Sequence, residues 1–150
     1  MTNEELFSRL SDLADPQYKD FHQGLCPGKT NILGIRIPRL RSFAKELMKE
    51  GPAEEILGSI SFSSAEEIML YGFILSLTKA APTDRLPFLQ VYIAHIDSWA
   101  TCDYPVAAMK FMQKDRPFFW AYLCPLLHAV EPYTVRFAVV AMLDHFMIPE

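Results

Sequence analysis

The sequence predicts an all-α protein built as an array of helix pairs. Three observations carry that prediction. Apolar residues recur at helical spacing through almost every segment. No stretch shows a convincing period-two strand pattern, and no Asn-Gly or Asp-Gly hairpin signal occurs. The second helices of successive pairs begin near Pro38, Ala65, Trp99 and Thr134, roughly 27–35 residues apart, at the short end of helical-repeat periods. A stacked array of this kind curves into a superhelix. It gathers one helix of each pair on a concave face, where residues distant in sequence meet.

The elements follow in chain order. Thr2 or Asn3 caps a first helix whose stripe is Leu6, Phe7, Leu10 and Leu13. Asp15-Pro16 opens a short second segment carrying Tyr18, Phe21, His22 and Leu25, which Cys26-Pro27-Gly28-Lys29 breaks. Asn31 to Arg36 reads as a loop, and Pro38 suits the first turn of the next helix. That helix buries Leu40, Phe43, Ala44, Leu47 and Met48 and stops at Gly51; a short helix follows from Pro52, begun by Glu54 and Glu55. Ser63-Ser64-Ala65-Glu66-Glu67 combines a cap with acidic first-turn residues and leads into Ile68 to Leu77. Pro82-Thr83-Asp84 begins the helix bearing Phe88, Val91, Tyr92 and Ile96. Ser98, Asp115 and Glu131-Pro132 mark three further starts.

Composition narrows the function classes. With 150 residues and 51% apolar content, the chain folds as one domain with a substantial core. Cys26, Cys102 and Cys124 are odd in number and widely spaced, so neither a disulfide framework nor a zinc pattern is expected, and a reducing cytoplasm is the natural setting. The acidic, polar N-terminus is unlike a signal peptide, and the apolar runs are too short to span a bilayer, so no membrane partner is expected. A formal net charge of -4 argues mildly against nucleic-acid binding, yet Lys29, Arg36, Arg39, Arg41, Lys45 and Lys49 crowd one window opposed only by Glu46. Arg41, Lys45 and Lys49 step by four along one helix face, and Lys110 and Lys114 repeat that step. Either row would follow a phosphate backbone, or serve as an ordinary solvated face. There is no Gly-rich phosphate loop and no Gly-x-Ser-x-Gly elbow. The histidines share no ligand spacing, so no metal or cofactor is expected.

Chemistry is concentrated in Ile96-Asp97-Ser98-Trp99-Ala100-Thr101-Cys102-Asp103 and in Val135-Arg136-Phe137. Trp99 and Asp103, four apart, share one helix face. An indole plane, a carboxylate and a guanidinium together suit a cationic nucleobase.

Four ordered segments resemble the DNA alkylation repair family of HEAT-like helical-repeat glycosylases and cover nearly the whole chain. They are Ile32-Leu33-Gly34-Ile35-Arg36-Ile37-Pro38 with Leu40-Arg41; Glu66-Glu67 to Phe73; Ile96-Asp97-Ser98-Trp99 to Cys102-Asp103; and Val135-Arg136-Phe137-Ala138-Val139-Val140 with Leu143-Asp144-His145-Phe146. The resemblance implies an α-solenoid with a basic groove for duplex DNA. It implies hydrolysis of the N-glycosidic bond of cationic N3- or N7-alkylated purines. Trp99 then takes the place of the aromatic at the lesion's sugar and phosphate, Asp103 that of the essential carboxylate, and Arg136 that of the arginine holding the DNA backbone. Arg36 corresponds to a cleft-lining position.

The chemistry suits those residue types. An alkylated purine is already a cationic leaving group, so the growing sugar cation is what needs stabilising. A carboxylate does this and positions a water. Arg136 is expected to grip phosphate and to keep Asp103 ionised. The family continues through further helices beyond the position of Phe146, so residues 1–150 are expected to be a C-terminally truncated domain that self-associates through its exposed last repeat.

Other readings of the same residues stay open. Trp99 also suits a core or interface aromatic, and Asp103 the cap of a helix that Pro105 starts. Arg136 suits a structural partner of Asp103, Asp144 or Glu131. Tyr104-Pro105 departs from the family pattern, so Pro105 is expected to kink or restart the helix beside the carboxylate. Asp144-His145 reads as a structural hydrogen bond, and Phe118-Phe119-Trp120 with Tyr122 as repeat packing. A non-catalytic DNA-binding relative and a protein-interaction scaffold are the alternatives to a glycosylase.

Overall fold

A computed structural model describes residues 1–147 and 149. Ile148 and Glu150 lie outside the described residues. Among the described residues there are nine α-helices and no strand. They are α1 (Asn3–Ser11), α2 (Pro16–Leu25), α3 (Ile37–Glu50), α4 (Ala53–Gly58), α5 (Ala65–Leu77), α6 (Pro82–His95), α7 (Trp99–Ala108), α8 (Arg116–Leu126) and α9 (Pro132–His145). A short 3-10 turn, Lys110–Gln113, joins α7 to α8.

The helix starts follow local chemistry. Thr2 and Ser64 each make a complete capping box, with Glu5 and Glu67 reaching back to the cap amide. Ser98 caps α7 by accepting the Thr101 amide. Proline occupies the first turn of α2, α3, α6, α8 and α9, where its missing N–H costs nothing.

The helices form two rows. In the first, α3 packs on α5, α5 on α7 and α7 on α9. In the second, α4 and α6 lie against α5, and α8 against α9. The first row comprises the helices whose starts recur in the sequence. Its central member, α5, is buried from Ala65 to Leu75 with almost no amphipathic bias, as a helix covered all round must be. One apolar core runs the length of the stack, from Leu6 and Leu10 through Phe73 and Tyr92 to Phe137 and Ala141. No helix among the described residues is long and apolar enough to cross a membrane.

Two sequence expectations change. α7 does not restart at Pro105: it runs from Trp99 to Ala108 with Pro105 inside it. Asp103 therefore lies within the helix and caps nothing. Lys110 and Lys114 do not form a helical row. Lys110 opens the 3-10 turn and Lys114 follows it, and at about three residues per turn a step of four leaves the shared face.

Candidate active site

Trp99, Asp103 and Ala107 succeed one another at intervals of four along α7, which stacks them on one face. Trp99 is half-buried. Its ring lies 5.7 Å from that of Tyr104, and its Nε1–H donates to the Leu25 carbonyl at 3.3 Å. The indole is thus anchored at its edge by the end of α2.

Asp103 meets Arg136 from the neighbouring helix of the row. Nε donates to Oδ1 at 2.9 Å and Nη2 to Oδ2 at 2.7 Å, a two-point match between guanidinium and carboxylate. The hydrogen bond to Asp103 raises the affinity of Arg136 for its proton. The pair stays open to solvent, with the carboxylate side chain 30% and the guanidinium 43% exposed. Nη1 of Arg136 has no acceptor among the described residues. Arg136 makes its pair with Asp103 and with neither Asp144 nor Glu131.

Further along the same α7 face, Ala107 helps line a recess of about 290 Å³ between α3, α5 and the end of α7. Arg41, Lys45 and Lys110 converge on it, with Phe73 and Ser76 at its floor. Arg41 sits over the Phe73 ring at 5.3 Å, which holds a cation against an otherwise apolar wall. Lys49 is exposed one turn beyond Lys45, and Lys114 is exposed past the 3-10 turn; neither lines the recess. Arg36 stands at the N-cap of α3, donating from Nε to Asp15 at 3.1 Å and lying over the Tyr18 ring at 5.2 Å.

Sequence reasoning missed the supporting roles of four residues. Glu66 is fully buried, and its carboxylate accepts the amides of Leu33 and Gly34 at 2.9 and 3.0 Å, tying the loop before α3 onto α5. Gly34 has φ +89°, and a Cβ there would fall 2.6 Å from the Lys19 Cα, so the loop needs glycine at this point. His22 is buried with both ring nitrogens unpartnered, 4.0 Å from Glu66. Tyr92, also wholly buried, donates its hydroxyl to the Thr101 carbonyl. The only advance signal for Tyr92 was Pro105, whose missing amide leaves one carbonyl in need of a donor. His145, read as half of an Asp-His pair, instead bonds Gln113 and the Val106 carbonyl, in a structural role.

Chemically, the site offers a solvent-accessible carboxylate steered by a guanidinium, with an indole one helical turn away. Cys102 adds no nucleophile: burial, together with the adjacent Asp103 charge, pushes its thiol up to about 12. Among the described residues no group of three or more His, Cys, Asp or Glu side chains is arranged to hold a metal ion.

The family model described as DNA alkylation repair enzyme matches residues 6–147 of this sequence. No curated protein and no solved structure matches it significantly.

Proposed function

The chain belongs to the DNA alkylation repair enzyme family, and from that premise we propose that it excises cationic N3- or N7-alkylated purines from duplex DNA by hydrolysing their N-glycosidic bond. The observation that carries this reading is the open, two-point Asp103–Arg136 pair, on the α7 face that also bears Trp99. In the reaction the C1′–N bond breaks and its electron pair passes to the purine ring, cancelling the charge that alkylation created. No general acid is required for that departure. Positive charge develops on the deoxyribose instead, and Asp103 stabilises it electrostatically. Water then adds at C1′ and gives up a proton to solvent or to the carboxylate.

Trp99 presents its indole to the cationic sugar or base, an attraction of about 0.5–2 kcal/mol. Arg136 orients Asp103 and reaches a lesion-flanking phosphate through Nη1. Arg41, Lys45 and Lys110, with Lys49, Lys114 and Arg36 more peripheral, supply positive charge for the phosphate backbone. Exposed Val139 and Leu143 on α9 support self-association through that face, which sedimentation would report.

Release of 7-methylguanine or 3-methyladenine from methylated duplex DNA tests the reading. The free base is expected from this chain and is expected to be lost in Asp103→Asn. One observation favours a second reading. In the free protein Arg136 already occupies both carboxylate oxygens, as a purely structural pair would. A non-catalytic DNA binder would hold duplex in a salt-sensitive way, release no base, and bind as well after Asp103→Asn.

A further inference from the structure

Pro105 has no amide hydrogen, so the turn of α7 that carries Asp103 lacks the usual bond back to the Thr101 carbonyl. Thr101 is wholly buried, and a carbonyl left unmatched there is costly. The missing donor comes from α6. Tyr92 Oη donates to the Thr101 carbonyl at 2.5 Å and lies 3.3 Å from the Cys102 carbonyl. Burial, reinforced by the neighbouring Cys102 and Asp103, holds the phenol well above its ordinary pKa, so it remains a donor.

The same side chain touches the other half of the site. The Tyr92 ring meets Phe137 edge-on, at 6.2 Å and 73°, and Phe137 directly follows Arg136 on α9. The fit is tight from the far side as well. A Cβ on Gly72 would lie 2.5 Å from the Pro105 Cβ and 3.0 Å from Tyr92 Cε2. Tyr92 is therefore wedged between the backbone just before Asp103 and the helix that bears Arg136.

We propose that Tyr92 is a positioning residue for the Asp103–Arg136 pair, replacing from α6 the hydrogen bond that Pro105 deletes and so fixing the direction in which the carboxylate points. The functional half of this proposal rests on the excision reading above; the geometric half does not.

A four-member cycle tests it: wild type, Tyr92→Phe, Pro105→Ala and the double variant. Each is measured for single-turnover base release, for affinity to undamaged duplex, and for the Arg136 Nε–H signal in nitrogen-15 NMR without DNA. Tyr92→Phe is expected to slow release by roughly tenfold to a hundredfold. It should leave duplex affinity unchanged and speed exchange of the Arg136 Nε–H. Pro105→Ala returns an amide to the Thr101 carbonyl, so the double variant should recover both rate and signal. If Tyr92→Phe alone does not fold, the comparison moves to the Pro105→Ala background, where removing the hydroxyl should be silent. The proposal is overturned if Tyr92→Phe alters neither rate nor signal. It is equally overturned if the loss persists undiminished in a folded double variant. A wild-type chain that releases no base refutes the excision reading alone, because the Nε–H signal still reports on positioning.

Discussion

Two carboxylates on adjacent helices of the first row are held in opposite ways. Glu66, at the start of α5, is sealed from solvent and satisfied by backbone amides of the preceding loop. Asp103, on α7, is partly exposed and held by one long side chain from α9. A carboxylate clamped by backbone cannot be reached or redirected, so its effect is to fix the loop from Leu33 to Arg36. A carboxylate gripped by a guanidinium at an open surface keeps its charge available to whatever docks there. The contrast separates a sealed acid from one that a docked molecule can reach, without appeal to residue type.

The largest expected effect is at the exposed carboxylate. Asp103→Asn should lower the rate of base release by about a hundredfold to a thousandfold, the scale typical of losing one preorganised electrostatic group. Stability should change by less than about 1 kcal/mol, since the pair is half-exposed. Glu66→Ala should behave in the reverse way. It strands the Leu33 and Gly34 amides and should cost about 3 kcal/mol, roughly 6–12 °C in Tm, while the folded fraction still releases base. Thermal melts and release assays on both variants check this, and a variant that lost both properties would show that the two carboxylates do not divide these roles.

Buried titratable groups also make stability depend on pH. Burial lowers the His22 pKa below its ordinary 6.5, with Glu66 opposing and Lys29 assisting. Between those two values the unfolded chain binds more protons, so stability present above pH 6.5 erodes as pH falls through the folded value. Glu67 acts in a lower window. Burial tends to raise its pKa, but hydrogen bonds from Ser63, Ser61 and Ser64 outweigh it and leave a value below 4.5. Its contribution is present above pH 4.5 and lost as pH falls through the depressed value. Denaturant midpoints at several pH values should therefore decline in two steps, and His22→Phe should remove the upper step only.

The smallest effect belongs to the basic recess. Lys45→Gln should weaken duplex binding similarly for damaged and undamaged DNA, and reduce the slope of log affinity against log salt by about 0.9. A binding titration at several salt concentrations reads both. A loss confined to damaged DNA would instead assign Lys45 to the lesion.

The fold was largely legible in the sequence because its signals are local. Thr2 with Glu5, Ser64 with Glu67, and the prolines opening α3 and α9 mark starts through chemistry confined to one turn. Helical spacing likewise put Trp99 and Asp103 on one face. The pairing of Asp103 with Arg136 spans 33 residues, and the sequence left Asp103, Asp144 and Glu131 open as partners, because nothing local chooses among them. Glu66 and Glu67 illustrate the opposite case. Their place in the first turn and the part of Glu67 in the cap were readable, but their complete burial depends on loops folding over them, which no local pattern encodes. Lys110 and Lys114 misled because a step of four implies a shared face only within an α-helix.

The glycosylase reading requires that Asp103 direct its charge at a sugar turning cationic. Its most direct test is single-turnover release of 7-methylguanine from a duplex carrying one defined lesion, comparing wild type with Asp103→Asn at matched DNA occupancy. Rapid release by the first and a loss of about a hundredfold or more in the second are expected. Equal rates from the two proteins would contradict that reading.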